Sequence, residues 1–333
     1  MNTVATSTPT ELPTVTRRKL SELFTREQIA VLTQRSNWRG AWAIASTWAV
    51  IAATFAVLAI WPNLFTFVAA LFVIAGRQLA LAILEHEGAH GTLFKSRWAN
   101  DVLTDWLCAR PIWQSLHKYR AHHLGHHTRT GTEADPDRTL HVGYPTTRRS
   151  LWRKFARDLS GITGLKLLFG LVLMDAGVIR WTVANDIERL PANGRRWHHY
   201  VATALRNMTP MLIANGVLLT IFALSGHAWL YAVWVLAYVT PFPLLLRIRS
   251  IAEHGMLPDT PDMFQNTRTT RAGWLARISV APFQVNYHLE HHVMASVPYW
   301  KLPLMHRWLR ERDAVPMPPS YGDVLRLATS TSH

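Results

Sequence analysis

Residues 116–137 read LHKYRAHHLGHHTRTGTEADPD, and the rest of the chain is organised around them. His123, His126 and His127 stand at i, i+3 and i+4, so on a helix their imidazoles project from one face. Three neutral nitrogen donors on one face are what a metal ion needs and what a solvated surface does not. The pattern returns as His288, His291 and His292, and a third cluster, His86 and His90, stands at i, i+4 upstream. A single histidine is ordinarily a packed or surface residue. Three spaced clusters in one chain point instead to metal.

The chain has 333 residues, 49% of them hydrophobic, with 15 Trp and a formal charge of +14. Its one cysteine, Cys108, excludes a disulfide framework, a structural cysteine zinc site and a built-in iron–sulfur centre. A basic balance suits nucleic acid, an anionic membrane surface or an acidic protein, and the hydrophobic runs decide among these. Residues 41–61 carry no charge and, at about 1.5 Å per residue, cover the roughly 30 Å hydrocarbon layer. After a Trp61-Pro62-Asn63 turn comes a second run, 64–84, with Arg77 and Gln78 in its last third, where an arginine can snorkel or face a bundle. Residues 208–224 and 228–246 form a second uncharged hairpin around Ser225-Gly226-His227. Pro210 suits a helix start, and Pro241 and Pro243 should kink the last span.

The sequence thus predicts an all-α polytopic membrane protein: four transmembrane helices in two hairpins, with a His-rich helical cap. The hairpin tips carry no Lys or Arg, and the segments at the other ends hold all of them but Arg77. By that bias the N-terminus, the middle segment and the cap are expected in the cytoplasm; the expected membrane is a bacterial inner membrane. Nucleic acid is not needed to explain the charge.

Residues 1–19 lack the apolar core of a signal peptide and read as a disordered tail. A capping box, TREQ at 25–28, opens a short helix through about Leu32. Residues 20–316 form the functional domain, and 317–333 a C-terminal tail. Residues 162–183 contain an apolar run, 167–174, beside Lys166, Asp175 and Arg180. If this segment crossed the membrane, the first two histidine clusters would face away from the third. It is therefore expected to lie on or beside the membrane surface.

HEGAH at 86–90 matches H-E-x-x-H, in which two histidines bind zinc and the glutamate is a general base. A zinc protease would leave the other two clusters without a role. Eight histidines are too many for one tetrahedral zinc and suit two ions with about four ligands each; imidazole itself does not select the metal. A pair of irons activating O₂ fits the edge of a membrane, where it could oxidise an alkyl chain presented from the bilayer. A passive metal store in a membrane scaffold would hold metal without turnover.

The order HEGAH (86–90), HLGHH (123–127) and HLEHH (288–292), with two hydrophobic hairpins, resembles the membrane fatty acid desaturase family. The flanks agree: TGTEADPD after the second box, VNY before the third and VPYWKLP after it. The resemblance runs from about Ser36 to Arg312. It implies a di-iron oxidase that uses O₂ and two external electrons to desaturate a fatty acyl chain of a membrane lipid. It also adds His254, in RSIAEHG (249–255), so that the implied ligands are His86, His90, His123, His126, His127, His254, His288, His291 and His292. Acyl-CoA members of the family carry Asn one turn before the added histidine. This chain has Ser250 there, which argues against that branch.

Glu87, Asp135, Asp137, Glu253 and Glu290 are the carboxylates that could orient ligand imidazoles. His122 points about 100° away from His123 on a helix and is not expected to bind metal. His117 and His141 read as surface or orienting groups, and His198 and His199 form no spaced cluster. No Gly-rich nucleotide fingerprint and no HPGG haem motif occurs, so electrons are expected from an external ferredoxin or cytochrome with its reductase. The basic face would complement an acidic carrier. Hydroxylation or ketolation of an alkyl or carotenoid substrate on the same site remains the alternative.

Overall fold

A computed structural model describes residues 14–15, 19–181 and 187–330. The expected N-terminal tail thus lies outside the described residues except for Thr14, Val15 and Lys19; the Val15 N–H donates to the Thr128 carbonyl at 2.9 Å. Four helices are long and apolar enough to cross a membrane, and they form two hairpins. The first pairs Asn37–Ile60 with Leu64–Ala89. Its tip is closed by Asn63 and Thr66, each accepting the other's backbone N–H at 3.1 Å, which satisfies donors that a helix start leaves bare. The short helix Arg26–Leu32 opens on the expected box, with Thr25 and Gln28 capping each other.

The second hairpin differs from expectation at one point. Its first helix is Trp197–Leu224, so Pro210 sits inside the helix and not near its start. The extra turns are polar and pack on the helix Ile162–Asp175, where the Asn207 side chain donates to the Asp175 carbonyl at 2.8 Å. That tertiary contact is made by the helix on the N-terminal side of the proline, and it works against the cost of an interior proline. The last span is broken as expected: it runs Leu230–Val239, interrupts at Thr240 and resumes as Pro241–His254.

Inside a bilayer, lipid tails are as apolar as leucine, so close approach and polar contacts hold helices together. Phe55 packs edge-on against Phe222, and Trp48 stacks on Trp234, tying the hairpins to each other. A Cβ on Gly76 would stand 2.7 Å from the Ile278 carbonyl oxygen, and one on Gly164 would stand 2.3 Å from the Val239 Cα. The neighbour of Gly76 is Arg77, whose guanidinium donates to the same Ile278 carbonyl at 2.7 Å. Gln78 donates to the Trp234 carbonyl at 2.9 Å. Protein carbonyls thus take up the donors of both polar residues, while the Gln78 Oε1 is buried with no partner among the described residues.

Ile162–Asp175 is about 21 Å long, too short to cross. It lies alongside the break in the last span, with Gly164 against Val239. A two-stranded antiparallel hairpin, Ile179–Trp181 with Ile187–Arg189, is the one sheet among the described residues. Residues 317–330, expected to be a tail, include the helix Tyr321–Leu327; its Val324, and Ala328 just after it, are buried with Leu151 and Ile251. The spans Leu64–Ala89 and Pro241–His254 end at the same side of the bundle, and the box-bearing segments 116–129 and 288–293 close over their ends.

Candidate metal centre

Each histidine cluster is positioned by a different device. His86 and His90 close the second span, held at the depth that span sets. The second box lies on Leu116–Arg129. Buried Asp105, paired with Arg110 at 2.8 Å, accepts the Leu116 N–H at 2.9 Å and so fixes that helix's first turn. Arg120 donates to the Ala89 and Gly88 carbonyls at 2.9 and 3.0 Å, which docks the helix on the end of the first box. The third box is the six-residue helix His288–Val293, whose histidines are all buried. His254 is the last residue of the fourth span.

The structure brings together all nine histidines named above, in two groups. One holds His86, His90, His123, His127 and His291; the other holds His126, His254, His288 and His292. Within each group the candidate ligand atoms lie within 4.8 Å of one another. The Nε2 atoms of His86 and His291 are 2.9 Å apart, those of His291 and His127 2.9 Å, those of His127 and His123 3.0 Å, and those of His288 and His254 2.8 Å. Two ligands at right angles on one ion, with metal–imidazole bonds of about 2.1 Å, stand roughly 3.0 Å apart. The spacing is therefore that of atoms sharing an ion. Buried His90 Nε2 and both ring nitrogens of His292 have no hydrogen-bond partner among the described residues, a costly arrangement that a metal would relieve.

Burial pushes His90 down to about 4 and holds His123, His288, His291 and His292 well below the usual imidazole range. These rings are neutral, which is the form that ligates. His126 is the exception. Burial pulls it down too, but the charge and hydrogen bond of Asp135 raise it to about 9. Its Nδ1 lies 2.7 Å from Asp135 Oδ1, so the Nδ1–H is fixed on the carboxylate and Nε2 is left to coordinate. Asp135 is correspondingly held far below the carboxylate range, against its own burial, by His126.

The other carboxylates divide. Glu253 Oε1 stands 3.5 Å from His288 Nδ1 and is clamped by Arg249 at 2.6 Å. Asp137 accepts from His122 at 2.8 Å and stands 3.8 Å from His126. Glu87 bonds no imidazole: it accepts from the Thr92 hydroxyl at 2.8 Å and the Tyr299 N–H at 3.0 Å, tying the first box to the segment after the third. Glu290 faces away from the groups, toward His306 at 2.6 Å and the Thr269 hydroxyl. His122, His117, His198 and His199 are exposed and belong to neither group. His141 packs its ring on His254 at 5.1 Å with Nε2 3.7 Å from Asp135, an orienting position. Sequence reasoning missed the Asn266 carbonyl on His254 Nδ1 at 3.1 Å, Tyr119 stacked on His123, and His306. Of these only Tyr119 was legible, standing one turn before His123 on the same helix. Ser250 donates to the Leu246 carbonyl at 3.0 Å, so its hydroxyl is engaged with its own helix.

Comparison with known proteins agrees with this geometry. Residues 62–322 match the family described as fatty acid desaturase. The chain is 27% identical over 271 residues to dihydrorhizobitoxine desaturase of Bradyrhizobium elkanii, covering 80% of this chain and 74% of that protein. It is 24% and 26% identical to two beta-carotene ketolases of Paracoccus, over 68% of this chain and 73% of each relative. With four spans and a histidine cluster at one end of them, the chain belongs to the fatty acid desaturase family and is an integral membrane oxidoreductase of the di-iron class.

Proposed function

We propose that the protein is an O₂-dependent di-iron desaturase that introduces a double bond into a fatty acyl chain of a membrane lipid. The observation that carries this reading is the pair of histidine groups, five and four, with ligand atoms at the separation of a shared ion. His86, His90, His123, His127 and His291 would hold one iron, and His126, His254, His288 and His292 the other. Bound iron supplies the activation of O₂ that breaks two unactivated C–H bonds. Overall, two adjacent CH₂ groups, O₂, two electrons and two protons give a CH=CH unit and two waters.

The chain's own residues do the rest. Asp135 and the Asn266 carbonyl keep His126 and His254 turned toward the centre. The buried walls keep the imidazoles other than His126 neutral and exclude bulk water. No redox domain is recognisable in the sequence, so the two electrons come from an external ferredoxin or cytochrome. The charge-free hairpin tips support an active site on the cytoplasmic side of the inner membrane.

A second reading is hydroxylation or ketolation, favoured by the two relatives named ketolases. Both readings remove a hydrogen and differ in the fate of the carbon left behind. The test is mass spectrometry of lipids from cells expressing the protein with a reductase and electron carrier. Loss of two hydrogens from an acyl chain supports desaturation. Gain of one oxygen moves the assignment to the second reading, and unchanged lipids remove both for this substrate class.

A further inference from the structure

The short helix Trp274–Ile278 lies against the second span, where Gly76 and Arg77 meet the Ile278 carbonyl. That contact is about two and a half turns before His86, back toward the middle of the membrane. Trp274, Leu275 and Ile278 are 76%, 61% and 51% exposed. At this height such side chains face acyl chains, and neighbouring arginines reach the headgroup layer.

Beside this helix is a cavity of about 210 Å³ lined by Thr269, Arg271, Arg277, Asn286, Tyr287 and His306, among others. Among the described residues the Arg271 guanidinium has no hydrogen bond or ion pair, and Arg277 reaches only the Ala272 carbonyl, at 3.3 Å. The nearby carboxylate, Glu290, is taken up by His306 and Thr269. Two cations therefore line the cavity without a counter-charge. Asn286 is 4% exposed, and its Nδ2 donates to the Thr270 carbonyl at 2.9 Å, which fixes the amide's orientation. Its Oδ1 is buried with no partner among the described residues. The cavity thus asks for an anion and a hydroxyl donor together.

We propose that it binds the headgroup of an anionic, hydroxyl-bearing phospholipid. The phosphate sits on Arg271 and Arg277, a headgroup hydroxyl donates to Asn286 Oδ1, and the tails run beside Trp274, Leu275 and Ile278. The volume is below that of pockets enclosing a drug-sized ligand, so it takes a headgroup and leaves the chains in the bilayer. The site does not depend on which substrate is oxidised.

The test counts lipids and does not read activity. Full-length, iron-loaded protein is equilibrated with vesicles of phosphatidylglycerol, phosphatidic acid or phosphatidylcholine, then stripped by detergent, and retained lipid is measured by mass spectrometry. Phosphatidylglycerol should be kept most tightly, phosphatidic acid less and phosphatidylcholine least. R271A/R277A should weaken phosphatidylglycerol retention roughly thirtyfold, at unchanged iron content and thermal midpoint. Should that double variant fail to fold, R271Q and R277Q singly should each weaken it roughly fivefold. Equal retention of phosphatidylglycerol and phosphatidylcholine, or full retention by the folded variants, would overturn the proposal. Displacement by inorganic phosphate at equal concentration would assign the cavity to a soluble anion and overturn it as well.

Discussion

The two histidine groups are held in place by different physics. In the five-histidine group the rings support one another: His90 meets His123, His127 and His291 edge-on, with centroids 4.7–4.9 Å apart, and Tyr119 stacks on His123. Among the described residues no carboxylate bonds His86, His90, His123 or His291; Glu87 stays 3.7 Å from His86 Nδ1. In the four-histidine group, three of the four rings have a partner outside the group: Asp135 on His126, the Asn266 carbonyl on His254, and Glu253 near His288. The first group takes its geometry from the end of a span and the helix docked on it. Both groups also take histidines from the third box, but the second relies on polar partners to aim its rings. Loss of a polar partner should therefore be felt in the four-histidine group, and a packing change at the helix ends in the five-histidine group.

The largest effect is expected from His254→Ala, which removes a ring from the smaller group. Turnover should vanish and bound iron should fall toward one per chain, measured on protein matched for thermal stability. An active, iron-replete variant would remove His254 from the ligand set. Next is Asp135→Asn, which keeps the shape but loses the charge that fixes the His126 proton. Iron affinity of the four-histidine group should drop about 10- to 100-fold, with the five-histidine group unaffected in an iron titration. Equal loss from both groups would mean that Asp135 does not act on the four-histidine group alone.

A smaller, opposite effect is expected from Gly88→Ala. A Cβ there would stand 2.6 Å from the Thr104 Cγ2 and 3.1 Å from the Asn100 carbonyl, so the end of the first box must shift. Such overpacking costs about 1–3 kcal/mol, and iron loss should be confined to the five-histidine group. A loss centred on the other group would count against packing as the positioning device.

The smallest effect belongs to His122→Ala. Asp137 raises the His122 imidazole by hydrogen bond and charge, against partial desolvation, and is itself lowered by His122 against its own desolvation. The pair stabilises the fold between those two values. The His122 share fades as pH rises through its raised pKa, and the Asp137 share fades as pH falls through its lowered one. Because His122 is exposed, the pair is worth at most about 1 kcal/mol. Thermal scans of wild type and variant should differ slightly near pH 6 and converge in alkali, with activity kept within a few-fold. A dead but well-folded His122→Ala would mean that the chemistry reaches outside the two groups.

The histidine boxes and spans were legible because both are local patterns. A metal-binding helix face repeats at three and four residues, and a span is a run of apolar residues between charged flanks. Asp135 could be read as a partner of the second box because it lies nine residues from His126. Glu290 could not be read as turned outward, since its place inside the third box suggested the opposite and its partner His306 lies on another helix. Arg77 was ambiguous for the same reason: the carbonyl that satisfies it is 201 residues away. Pro210 misled because local propensity favours a helix start, whereas the contact with the 162–175 segment carries the helix through it. The helix at 321–327 was hidden because its seven residues make sense only against Leu151 and Ile251.

Two ions are expected to share these nine histidines, five to one and four to the other. Iron and zinc should be measured together on purified protein from iron-replete cells, alongside the iron spectrum, which distinguishes coupled from isolated ions. About two irons per chain, negligible zinc and a magnetically coupled pair are expected. One tightly held zinc per chain, with peptidase activity or without it, would rule out a two-iron centre on these histidines.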